Sequence, residues 1–224
     1  MKFFITNTLT KNKEMKKSNI ILLSILVIVL LTIIALQIRF KSYIQNLNNE
    51  KIELSYNSFN EIVVEDGWFV EFYIDTITKV NFSSDSIKDF ITLNDDKLIL
   101  EKSEIDSKNK KVIKIFNPEI KQVKLSGNSR MYYYLDSIDT LHVSLKDQSD
   151  LILTGRISDD GDKNRTQSKI NFLDITLSNN SSISIYSDVN QLQGELKDTS
   201  YCRLTEKVNI IDFTKSPEAN LNSW

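Results

Sequence analysis

Few side chains in this sequence are of a kind and spacing that do chemistry. His142 is the single histidine, and Asp174 falls at the matching place of a later repeat. An imidazole beside a carboxylate is the start of a general base. A polysaccharide-cleaving enzyme also needs paired carboxylates, or a basic group poised over a groove. One such pair on a polar face reads as ordinary surface, so no catalytic residue is expected. The loop Asp159-Asp160-Gly161-Asp162-Lys163-Asn164 spaces Asp160, Asp162 and Asn164 like calcium ligands. However, the place that needs glycine holds Arg165, and the late carboxylate is replaced by Asn171. It reads as a solvated loop. One cysteine, Cys202, and one histidine exclude an intrachain disulfide and a His/Cys zinc site within one chain. No metal-binding or cofactor-binding residue is predicted. Tyr132, Tyr134 and Tyr186 are the remaining candidates, as an outward aromatic strip that stacks on sugar rings or partner side chains. Packing at a sheet edge is the competing reading. The predicted ligand-facing set is therefore Tyr132, Tyr134, Tyr186, His142 and Asp174.

These residues are positioned by a repeat. Five turns share a pattern: Leu125-Ser126-Gly127-Asn128-Ser129, Leu145-Lys146-Asp147-Gln148-Ser149, Leu177-Ser178-Asn179-Asn180-Ser181, Leu196-Lys197-Asp198-Thr199-Ser200 and a frayed Phe213-Thr214-Lys215-Ser216-Pro217. Apolar residues alternate before and after each turn, the mark of strands buried on one face. Asn, Asp, Gly and Ser accept turn dihedrals and cap backbone amides. The serines at 129, 149, 181 and 200 give a period near 20 residues once a polar insert, 158–169, is set aside. Units of that size cannot bury an apolar side alone, but stacked copies can. The prediction is an all-β, right-handed parallel β-helix-like solenoid; an antiparallel sandwich is the alternative. Inward ladders are predicted at Leu125, Leu145, Leu177, Leu196 and Phe213, and at Met131, Leu151, Ile183, Cys202 and Ala219. Outward rows are predicted at Gln122, His142, Asp174 and Gln193, at Tyr132, Ile152, Ser184 and Arg203, and at Tyr134, Thr154, Tyr186 and Thr205.

Ahead of the repeats the sequence divides into a basic arm (1–18), an apolar run (19–38), a polar stalk (39–58) and an irregular strand-rich stretch (59–117). The run from Ile20 to Ile38 is ~28 Å long as a helix, enough to cross a bilayer. It is longer than a cleaved signal peptide requires, and Arg39 and Lys41 follow it directly. The basic arm places the N-terminus in the cytosol, with 59–224 as one exported domain in the periplasm or outside the cell. The expected partners are thus the membrane and an envelope protein or glycan. Beyond residue 41 the chain has 21 basic and 29 acidic residues, which disfavours nucleic acid.

The phrase Phe116-Asn117-Pro118-Glu119-Ile120-Lys121-Gln122-Val123-Lys124-Leu125-Ser126-Gly127-Asn128-Ser129 resembles the GIN-type head domain of Bacteroidetes envelope proteins, an adhesin-like family. Phe59-Asn60-Glu61-Ile62-Val63-Val64 and Asp95-Asp96-Lys97-Leu98-Ile99-Leu100 resemble it in the same order. The likeness spans roughly 59–215. It departs at the 158–169 insert, in the loss of glycine from later turns and in the anchor. The resemblance implies an exported β-helical domain that binds rather than catalyses.

Overall fold

The structure, a computed structural model, describes residues 52–82, 84–102, 111–156 and 166–223, together with Thr32, Ile34 and Gln37. Those last three are helical and exposed; the rest of the predicted anchor, the basic arm and most of the stalk lie outside the described residues. No helix among the described residues is long and apolar enough to cross a membrane. Residues 51–224 form one compact unit.

In chain order this unit runs β1 (Ile52–Ser55), β2 (Glu61–Val64), β3 (Trp68–Ile74), β4 (Lys79–Phe82), a 3-10 helix (Asp85–Phe90), β5 (Ile91–Asn94), β6 (Lys97–Leu100) and β7 (Lys111–Asn117). It continues with β8 (Gln122–Leu125), β9 (Arg130–Tyr134), β10 (Ser137–Leu145), β11 (Asp150–Thr154) and β12 (Lys169–Leu177). The last strands are β13 (Ser182–Tyr186), β14 (Asp188–Leu196), β15 (Tyr201–Leu204), β16 (Val208–Lys215) and β17 (Asn220–Ser223). The fold is all-β, in two mixed sheets. From β8 onward each strand pairs in parallel with the strand two places along, so successive repeats contribute one strand to each sheet. Alternating side chains from both sheets are buried between them as one core.

The leucine ladder holds where the sequence places it: Leu125 faces Leu145, Leu145 faces Leu177, and Leu177 faces Leu196. The second ladder likewise joins Met131, Leu151, Ile183 and Cys202. Both predictions fail in the final repeat. Leu196 opposes Lys215 and not Phe213, while Cys202 opposes Leu221 and not Ala219. Ala219 instead takes the place of the turn serine, its amide bonding Ser216 O as the Ser200 amide bonds Lys197 O. The last level keeps the 19-residue offset that relates Leu177 to Leu196, and the two register irregularities around Leu192 and Ile211 cancel. Placing Phe213 opposite Leu196 makes the level two residues too short, because the final turn has lost the leucine-to-serine pattern that marks the others.

The turns explain their own composition. Gly127, Asp147, Asn179 and Asp198 all have positive φ, between 52° and 65°. Asp and Asn tolerate that region, so later turns dispense with glycine. Ser181 accepts a bond from the Ser178 amide (3.1 Å) and donates to Leu145 O (3.1 Å), the carbonyl one level below. Ser149 does the same between Lys146 N (3.1 Å) and Leu125 O (3.3 Å). Ser200 has the same place, but its buried Oγ has no partner. Ser181→Ala is therefore expected to cost about 1–2 kcal/mol in urea unfolding, and Ser200→Ala less than ~0.5 kcal/mol.

The stretch before β8 is more ordered than its sequence suggests, and its order in space is not its order in the chain. β2 and β3 pair in parallel with β8 and β9 on one side, and with β6 and β7 on the other. The chain lays down the level 61–74, builds 97–117 on its outer side, then crosses back over it to start β8. Antiparallel strands β5, β4 and β1 close that outer end. β1 occupies residues predicted to be stalk, so the folded unit begins earlier than the sequence reading places it.

The crossing, 118–121, is held by a buried side chain. Asn117 Nδ2 donates to Phe59 O (2.9 Å) and Glu119 O (2.6 Å), and Asn117 Oδ1 accepts from Thr78 Oγ1 (2.8 Å) and the Phe59 amide (3.4 Å). This is the asparagine of the Asn-Pro pair that opens the repeat phrase.

Candidate functional site

Strand alternation sends Phe69 and Tyr73 of β3, Phe116 of β7, and Tyr132 and Tyr134 of β9 to the outer face of the nine-stranded sheet. Register then stacks them. Tyr73 opposes both Phe116 and Tyr134, with ring centroids at 5.2 and 4.8 Å and planes within 16°. Tyr132 lies 6.2 Å from Tyr134 and 5.5 Å from Phe69. The rings are half-buried. Lys79 Nζ sits 5.0 Å from the Phe116 ring centre, and Lys114 Nζ 6.0 Å from that of Tyr73. Lys114 is also paired with Glu71 at 2.8 Å, and Glu71 accepts the Tyr73 hydroxyl at 3.1 Å. Burial raises the Tyr73 pKa first, and the charge of Glu71 raises it further. The phenol stays neutral and a donor.

Tyr132 and Tyr134 thus belong to one aromatic surface, but Tyr186 does not. Thr154 stands between it and Tyr134 in the register. Thr154, predicted to face outward with them, is buried, since both its register neighbours are tyrosines. Tyr186 instead lies beside Arg203, whose pKa is raised first by its hydrogen bond to Tyr186 and then by Tyr201. Sequence reasoning missed Phe69, Tyr73 and Phe116. They join Tyr132 and Tyr134 only because the level 61–74 is inserted between 97–117 and 122–134, and no period in the sequence announces that.

His142 and Asp174 are on the other sheet, directly opposite each other in register, with Nδ1 and Oδ2 3.2 Å apart. Their row is Gln122, His142, Asp174, Gln193 and Asp212, flat and polar. Phe172 meets the imidazole edge-on at 6.2 Å. Among the described residues no group of His, Cys, Asp and Glu could hold a metal ion. The acidic loop 159–164 lies outside them. Cys202 is buried, and burial pushes its thiol up to about 12, which leaves it inert. An open cleft of about 890 Å³ runs along one corner past Asp136, Lys169, Asp188 and Lys207. Gln167 donates to Asp188 there at 2.9 Å. Between the sheets the apolar side chains of both pack as one buried cluster.

No family model matches the chain. No curated protein matches it either. Among solved structures, a candidate lipid-binding protein from Parabacteroides distasonis is similar, with a TM-score of 0.52 and 14% identity over 76% of this chain and 74% of that one. Candidate adhesins from Bacteroides fragilis (TM-score 0.44, 12% identity, 78% and 96% covered) and Parabacteroides distasonis (0.45, 13%, 74% and 76%) are also similar. At such identities the first likeness supports a shared all-β fold.

Proposed function

We propose that this chain is a non-catalytic binding domain of a bacterial cell envelope, related to the GIN-type heads that its sequence resembles. In this reading it winds as a right-handed β-solenoid held at the inner membrane by residues 19–38, with 59–224 outside the cytoplasm. The carrying observation is the contiguous set Phe69, Tyr73, Phe116, Tyr132 and Tyr134 on an outer sheet face. The rows around His142 on the other sheet carry mainly polar groups, with Phe172 among them. Clustered aromatic residues at the surface mark recognition sites.

The ring geometry favours a protein partner over a glycan. Sugar stacking needs an open ring face, but Tyr73 turns one face to Phe116 and the other to Tyr134. The Tyr73 edge and the lysine ammonium groups beside Phe116 and Tyr73 suit side chains and backbone carbonyls.

Full-length chain immobilised from detergent is expected to retain an envelope protein that Tyr73→Ala with Tyr134→Ala binds at least ~30-fold more weakly, about 2 kcal/mol. His142→Ala should bind like the parent. Equal retention by the double variant would overturn the assignment of this face. Signal on a glycan array that the double variant abolishes would replace the protein partner with a carbohydrate.

A further inference from the structure

A second surface, remote from the aromatic face in the strand order, has a different character. β16 and β17 are the terminal strands of the two sheets, so among the described residues nothing pairs with their outer sides. The apolar cross-section is open there as well. Ile210 is 42% and Ile211 49% exposed, and Val208, Phe213 and Leu221 are only partly buried. Their counterparts one level in, Val189, Leu192 and Cys202, are buried. One side of this end is sealed. Lys215 takes the ladder place of leucine and its Nζ donates to Ala219 O at 3.2 Å. The part left open is Val208 to Ile211 together with β17.

We infer that this end docks against the same end of a second copy of the chain. Exposed sheet edges of this kind are templates for further pairing, and natural proteins keep them short, charged or covered. Here β16 is eight residues long and carries one anion, Asp212, and one cation, Lys215, while β17 is uncharged. Two copies therefore meet without net charge repulsion between their edges, although the chain beyond residue 41 is acidic overall.

The two edges also select the occupant. The chain reverses between β16 and β17, so the strands run in opposite directions. A single dyad parallel to this last level and just outside it sets both edges antiparallel to their copies at once, with the isoleucines enclosed between them. Such a self-complementary contact closes as a dimer. A lone partner strand would cover one edge and leave the other wet. The opposite end of the stack offers no matching surface, since the four-residue antiparallel strands β5 and β1 finish it. The inference is independent of the aromatic face and goes beyond the binding role proposed for it.

The test uses the full-length chain in detergent. Sedimentation is expected to show a dimer at micromolar protein, and Ile211→Lys should weaken association tenfold or more. Ile211 is already half in water, so the variant should fold, which circular dichroism checks. In a second arm, Ile211→Cys should form a symmetric disulfide under mild oxidation, because Cys202 is buried and cannot compete. Ile77→Cys, at a site 62% exposed in the β3–β4 connection, should stay uncrosslinked. A monomer at these concentrations, a dimer indifferent to Ile211→Lys, or equal crosslinking at both cysteines would each overturn the inference. So would a species that keeps growing with concentration, which marks open-ended stacking.

Discussion

Asn117→Ala lowers the stability of the folded unit by about 3–5 kcal/mol in equilibrium urea unfolding, more than any surface change should. The cost follows from what the amide satisfies. Its nitrogen holds two backbone carbonyls, Phe59 O and Glu119 O, and its oxygen holds the Thr78 hydroxyl and the Phe59 amide. Asn117 is fully buried, and Phe59 and Thr78 nearly so. Truncation therefore strands several polar groups where water does not reach them, at about 1–3 kcal/mol each. Asn117→Asp tests the direction of the bonds. A carboxylate keeps the two acceptor contacts but loses both donors and adds a buried charge, so it should be at least as damaging. If either variant unfolds within ~1 kcal/mol of the parent, the crossing does not depend on this side chain.

Leu177→Ala should cost about 3–4 kcal/mol, and Lys146→Ala less than about 0.5 kcal/mol. Leu177 is fully buried, with Leu145 and Leu196 opposite it on the two sides. Its loss opens a void that neighbours at fixed register cannot collapse to fill. For a unit of this size that is a fall in melting temperature of roughly 6–16 °C. A cost near 1 kcal/mol would mean that the levels slide on one another more freely than the register suggests.

Much of the C-terminal half was legible in the sequence because its contacts recur at one spacing. A leucine followed by Asn, Asp or Gly and a serine marks both the turn and the next level. The rows through His142 and Asp174 followed from counting alone. Three things escaped that method, for physical reasons. The final turn has lost the repeated phrase, so Lys215 and Leu221, each 19 positions after its partner, hold the places assigned to Phe213 and Ala219. Thr154, counted into an outward row between Tyr134 and Tyr186, is buried. Most important, β3 lies beside β7 and β9 through pairings that span unequal stretches of chain. The aromatic surface is built from just those pairings, so only Tyr132 and Tyr134 could be named beforehand. The anchor expected over 19–38 and the acidic loop remain sequence readings.

The inserted level also dictates when the polypeptide can become compact. Residues 61–74 leave the ribosome before either neighbour that will sandwich them, and the second does not follow until about residue 134. Until then at least one flank of these two strands is bare, a state prone to aggregation. The later repeats need only local closure, with partners 19 to 32 positions apart, and such short-range contacts form fastest. Order should therefore arise first near the carboxyl end and spread backward. A chain halted before residue 134 should be a strong client for holding chaperones.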